Sequence, residues 1–269
     1  MFGNAPKAMW SRWIAPDDDN RIPLACRCFL VRDGERTILL ETGIGAFFAP
    51  ALRQRFGVVE DHHVLLDGLA ALGIAPEDVD VVVLSRTCAD RAGGLSAWRD
   101  GEAPSLVFPR ATFVVGAEAW ARAQARTRDP RPRSSPSWRR CCRPRVGSGS
   151  STAIARRPWA KATALHRSEG HTPGLVLATE IAMPDGPLLF ASDLIPGRAW
   201  VHLPTDGLRP LHELLIEEKS ALLGELFGRQ GRLPVHARRR DRLRHDRPRR
   251  SAARYHTVDR RATLVDLAA

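Results

Sequence analysis

The sequence predicts a layered α/β domain with a polar site along one sheet edge, and three observations carry that prediction. Strand-like apolar runs precede helical patterns in two successive halves of the chain. One central run is apolar throughout, as in a strand covered on both faces. Polar, glycine-containing loops follow the strand ends, where α/β domains gather their chemistry. With 269 residues, 43% of them hydrophobic, the chain can supply the core such a domain needs.

The elements follow in order. "CRCFLV" (26–31) and "RTILLE" (36–41) read as two strands joined by a turn at Asp33 and Gly34. Cys26 and Cys28 are expected on one face of the first strand as buried small hydrophobes. "DHHVLLDGLAALGI" carries Val64, Leu65, Leu69 and Leu72 at helical spacing and stops at Gly73, which predicts a helix of about three turns. "DVDVVVLS" is the central strand, "ATFVVG" another, and "AEAWARAQA" a helix. Beyond an Arg/Pro-rich interruption, "LVLATEI" and "PLLFASD" read as strands and "LHELLIEEKSALLGELFG" as the longest helix; a final helix is expected in "ATLVDLAA".

Charge is unevenly distributed. The chain carries +11, yet residues 126–158 hold ten Arg and one Asp, and residues 232–261 hold twelve Arg and three Asp. Each segment therefore carries +9, leaving −7 on the remainder. Both segments, the second read as irregular over 232–254, lack apolar periodicity and look loop-like or disordered by composition. Trp138 and Tyr255 are their sparse aromatics, so base stacking has little to work with and a nucleic-acid role is disfavoured. Five cysteines at 26, 28, 88, 141 and 142 have no disulfide-framework or zinc-ribbon spacing, which suits a reducing compartment. With neither a signal-type leader nor a long apolar span, a cytoplasmic protein is expected.

Four loops carry candidate chemistry: "LLETGIG" (39–45), "LSRTCADRAGGL" (84–95), "EGHTPG" (169–174) and "FASDLIPG" (190–197). Their order and spacing resemble the metallo-β-lactamase superfamily, from about Asn20 to Gly228 and again near Tyr255. "DNRIPLACRC" and "ASDLIPGRAWVHLP" look nearest to the bacterial acyl-homoserine-lactone lactonase-like group. The resemblance implies one domain over 1–269, built as a four-layer αββα sandwich. It also implies hydrolysis of a small-molecule lactone, ester or thioester. In the family two zinc ions, held by imidazoles and carboxylates, lower the pKa of a bridging water and polarise the substrate carbonyl.

Mapped residue by residue, the family's His-x-His-x-Asp-His loop falls on Arg86, Cys88, Asp90 and Arg91, so three histidine positions are substituted. Asp90 keeps the loop aspartate, a metal ligand that also orients the attacking hydroxide. His171 keeps the Gly-His-Thr-Pro-Gly histidine and Asp193 the bridging carboxylate. A further ligand is expected near the C-terminus, where His236 is the nearest candidate and a solvated histidine the plainer reading. Glu41 stands where the family has the aspartate of "DTG" and is expected to hydrogen-bond loop backbone. Gly93 and Gly94 have a plainer reading as room for a tight start to a helix, and Thr172 with Pro173 as a turn cap.

Arginine has no lone pair to offer and stays protonated, so the paired-zinc site is expected to be lost. Arg86 and Arg91 about 4 Å from a dication would also repel it by several kcal/mol at an effective dielectric near 20. Salt bridges to Asp90 and Asp193 are the expected replacement. A single zinc on Cys88, His171 and Asp193 is the remaining metal alternative. The expectation is thus none or one zinc and little or no hydrolase activity, the alternative being a non-catalytic, degenerate relative. The Arg/Pro/Ser bias is what a GC-rich gene gives when read out of frame. Codons for "VHAR" and "RTC" can be chosen that read Phe-Thr-His and His-Leu in another frame, so local frameshift is a candidate origin for both segments and for the altered loop.

Overall fold

The structure is a computed structural model describing residues 2, 5–46, 48, 50–97, 105–125, 163–171, 176–184, 186–201, 211–234 and 265–266. Along the chain, α1 (Lys7–Trp10) precedes the hairpin β1 (Phe29–Asp33) and β2 (Arg36–Leu40), then α2 (Pro50–Phe56), α3 (Val64–Ala71), β3 (Val81–Leu84) and α4 (Ala89–Ala92). Next come β4 (Ser96–Ala97), β5 (Ser105–Leu106), β6 (Thr112–Val115) and α5 (Ala117–Ala125). The second half holds β7 (Thr163–Ser168), β8 (Val176–Ile181), β9 (Leu188–Phe190), α6 (Arg198–Val201), α7 (His212–Gly228) and β10 (Val265–Asp266). Two compact units result, one of Cys26–Ser150 with Arg261–Ala269, the other of Met1–Ala25 with Ser151–Arg260.

In the first unit a five-stranded sheet runs β10-β1-β2-β3-β6. β1 and β2 form the expected antiparallel hairpin, with Gly34 supplying the positive φ (65°) of its turn. β2–β3 and β3–β6 are parallel, so each pair needs a crossover, and α3 lies in the first. All four residues of β3 are buried, as an apolar run in mid-sheet requires. Asp80 fixes the register from below. Its carboxylate accepts from Thr37 N (2.8 Å), its N–H donates to Thr37 O (2.9 Å), and its carbonyl accepts from Thr112 N (2.8 Å).

The second unit contains the antiparallel sheet β7-β8-β9. α7 turns Leu215, Lys219, Leu222, Leu223 and Leu226 inward, a spacing that keeps them on one face. The four leucines pack with Ala178, Leu189 and Leu194 in one core. Phe2 joins that core between Trp200 (ring centroids 4.7 Å apart, 6° between planes) and Trp10 (5.2 Å, 12°), both near-parallel stacks.

Several sequence expectations need correction. Cys26 and Cys28 lie before β1, not on a strand face: Cys28 is buried, Cys26 only half-buried, and Cys28 Sγ bonds back to Cys26 O (3.8 Å). α3 is eight residues, nearer two turns, because His63 is its N-cap and the chain turns at Gly73 (φ 68°). In "ATLVDLAA", Val265–Asp266 forms a strand against β1, whose edge offers main-chain partners that a short helix there would leave unused. β7 and α2 were not anticipated. The segment 126–158 lies outside the described residues, as does 235–254; the preceding Arg232 is ordered, its carbonyl accepting from Leu189 N (2.9 Å). No helix among the described residues is long and apolar enough to cross a membrane.

Candidate metal centre

The loop after β3 is laced to the loop after β2. Glu41, fully buried with φ 65°, donates its N–H to Val83 O (2.9 Å) and accepts from Ser85 N at Oε1 (3.2 Å). This is the backbone role expected for Glu41. Thr42 donates from N and from Oγ1 to Arg91 O, each at 2.9 Å. Gly93 N and Gly94 N both donate to Gly43 O (3.0 and 3.2 Å). A Cβ on Gly94 would lie 2.0 Å from Thr42 O, so glycine is required here by a close backbone approach, not by the start of a helix.

That lacing places the substituted positions on and just before the single turn of α4. Cys88 is its N-cap, Asp90 stands in its first turn and Arg91 follows, with Arg86 just before it. Arg91 is buried, and its Nε lies 3.5 Å from Asp90 Oδ2, a charge contact at the margin of hydrogen-bond reach. The expected arginine–Asp90 pairing is therefore present. Beneath the turn, His63 Nε2 lies 3.0 Å from Gly94 O. Burial holds the His63 imidazole below the ordinary histidine range, and the Gly94 bond only partly opposes the shift. A neutral ring with its proton on Nε2 matches that bond.

The second unit carries the other described candidates. β7 and β9 both run antiparallel to β8, so their C-termini point to one end of the sheet. His171 follows the first and Asp193 the second. His171 is buried, its N–H 3.4 Å from Ser168 Oγ. The Glu218 carboxylate on α7 accepts from Ser168 Oγ (2.7 Å), Glu169 N (2.8 Å) and Gly170 N (3.0 Å). Asp193 sits in the 3-10 turn Ser192–Leu194, which begins with Ser192 at φ 48°. One residue beyond Glu218, the buried Lys219 ammonium donates to Trp200 O at the end of the segment that follows Asp193. His236, Thr172 and Pro173 lie outside the described residues.

Sequence reasoning missed His63, Glu218 and Lys219. A signal existed for the last two: adjacent charged residues fall on or beside the apolar stripe of α7, where only partnered charges persist.

The donor set does not fit a paired zinc centre. By the resemblance, such a centre would draw its first ligands from the loop that here presents Arg86, Cys88 and Arg91, and two of those side chains are obligate cations. The buried Arg91 already gives the Asp90 carboxylate a positive partner.

Residues 21–131 match the family model described as the metallo-beta-lactamase superfamily. No curated protein matches the chain. Among solved structures, a probable metal-dependent hydrolase from Staphylococcus aureus superposes with TM-score 0.70 at 22% identity, covering 87% of this chain and 82% of its own. A hydrolase of the beta lactamase superfamily, AbOPH, gives 0.61 at 16% identity over 86% and 79%. AidC, a dizinc quorum-quenching lactonase, gives 0.55 at 20% over 76% and 69%. The matched segment contains the laced loop and α4, and the likeness to solved structures extends over most of the chain: residues 21–131 match the metallo-β-lactamase superfamily, and the chain has the α/β fold of those structures.

Proposed function

We propose that the protein is a hydrolase by lineage whose paired-metal chemistry is impaired because one ligand loop has been rewritten. The ancestral reaction is metal-activated hydroxide attack on a lactone, ester or thioester carbonyl. The lactonases among structures of similar fold support that class, with a small molecule as substrate. Asp90, His171 and Asp193 are the retained donors, joined by Cys88 where a histidine stood and by His236 if the C-terminal ligand is kept.

The observation that carries the reading is Arg91, buried on α4 with Nε 3.5 Å from the carboxylate of the one retained loop ligand. A guanidinium there supplies the positive charge the aspartate needs and offers no lone pair to a metal. Zinc analysis of protein purified without chelator tests this, with well under one ion per chain expected. About one ion would favour the single-zinc alternative on Cys88, His171 and Asp193, and two would refute the proposal. The converse test is the triple variant Arg86→His/Cys88→His/Arg91→His, expected to take up at least one zinc per chain. Its melting temperature should be higher in zinc than in chelator, since zinc at 100 times its Kd adds about 2.7 kcal/mol to the folded state.

A further inference from the structure

We infer that Glu218 is the positioning residue for His171. It acts through the backbone of the loop that presents the imidazole, an inference resting on the reading of His171 as a retained donor. One carboxylate on α7 accepts three hydrogen bonds from three consecutive residues: Ser168 Oγ at Oε2 (2.7 Å), Glu169 N at Oε1 (2.8 Å) and Gly170 N at Oε2 (3.0 Å). The next residue is His171, whose own N–H lies 3.4 Å from the Ser168 hydroxyl oxygen. All four residues of the turn are thus tied directly or at one remove to a single side chain on a rigid helix.

Gly170 makes the tie close. A Cβ there would lie 2.3 Å from Leu215 N, so the loop rests against the helix backbone less than one turn before Glu218. Leu215 is buried in the core of this unit, which fixes the surface on which the loop rests. His171 is itself buried, so the backbone that carries it fixes where its side chain leaves the chain within a confined space. Ionised carboxylates satisfied by N–H and O–H donors make stronger, shorter bonds than neutral acceptors, and a bifurcated clamp of this kind fixes orientation as well as distance. Ligand imidazoles in metal sites are commonly oriented by groups that never touch the metal. Here the orienting group holds the main chain instead of the ring.

Glu218→Ala and Glu218→Gln separate this from a general packing role. Amide hydrogen exchange of Glu169 and Gly170, and modification of His171 by diethylpyrocarbonate located by peptide mapping, should both accelerate at least tenfold in Glu218→Ala. Amides of β9 should stay within twofold of the parent. The isosteric Gln keeps one carbonyl acceptor and turns the other oxygen into a donor, so one of the two amides should stay protected while the other is released. Unchanged protection in Glu218→Ala, or uniform acceleration through β9, overturns the inference. In the triple-histidine background, Glu218→Gln should weaken zinc binding at least tenfold with the local exchange change as its companion, and unaltered zinc affinity would count against it. Failure of that background to bind zinc with Glu218 intact would defeat the proposed function, while the exchange experiment in the native chain still decides the role of Glu218.

Discussion

Replacing Gly94 with alanine strikes the closest main-chain approach in the candidate centre. The added Cβ would stand 2.0 Å from Thr42 O, 3.0 Å from Thr42 C and 3.1 Å from Thr42 Cβ. Ordinary carbon–oxygen contacts begin near about 3.3 Å, so the two strands of backbone must separate by more than about 1 Å. Thr42 cannot retreat freely, because its N–H and its hydroxyl both bond Arg91 O at 2.9 Å. Each buried polar group left without a partner costs about 1–3 kcal/mol. Against this, alanine gains about 0.4–1 kcal/mol by restricting the unfolded chain. The net loss is about 2–4 kcal/mol, which in a domain of this size lowers the melting temperature by about 5–15 °C. Thermal unfolding followed by circular dichroism measures it, with Gly224→Ala as control. Gly224 lies inside α7 with nothing within 4 Å of its added Cβ. A Gly94→Ala protein melting within about 2 °C of the parent would show that the two loops are not held at the described separation.

Other perturbations follow from the same contacts. Gly224→Ala should stabilise the chain by about 0.8–1 kcal/mol through helix propensity, read as a rise in melting temperature or denaturant midpoint. Glu180 accepts two bonds from Arg229 (2.7 and 2.6 Å) and lies 3.2 Å from His166 Nε2, and the Arg229 bonds hold its carboxyl below the usual range. A lowered carboxylate pKa contributes stability that is present above the unfolded value, near 4.5, and lost as pH falls through the folded one. Arg229→Met should therefore cost about 1 kcal/mol at pH 7, a figure discounted because the Arg229 side chain is 40% exposed. The difference from the parent should shrink below about pH 4, and an undiminished gap at pH 3 would contradict the assignment.

Legibility in the sequence followed the range of the interaction that fixes each element. β2 and β3 were plain because their apolar runs report burial directly, and the turn at Gly34 declared itself by residue type. α7 was visible from its length and its leucines. β7 was missed because "TALHRS" mixes apolar and charged residues; its strand is held by pairing with β8 and by the His166–Glu180 contact, neither of which a local pattern shows. Val265–Asp266 looked helical because strand pairing with β1 is a partner's contribution, not a property of the segment. Within the centre, the positions aligned with the family's ligands could be named from motif order alone. Their supports, His63 and Glu218, are 31 and 48 residues from Gly94 and Gly170 along the chain, a separation at which spacing carries no signal.

The lacing of the Ser85–Gly94 turn has an evolutionary consequence. On that segment the ties are main-chain groups: Ser85 N, the Arg91 carbonyl, and the N–H groups of Gly93 and Gly94. None of them depends on which side chain stands at 86, 88 or 91, so the turn can hold its path while its chemistry is exchanged. A gene altered at those codons would still encode these main-chain ties, so the path of the turn can outlast its chemistry. The same main-chain lacing makes the three positions a place to vary histidine and cysteine in libraries, with the buried position 91 the most demanding of the three.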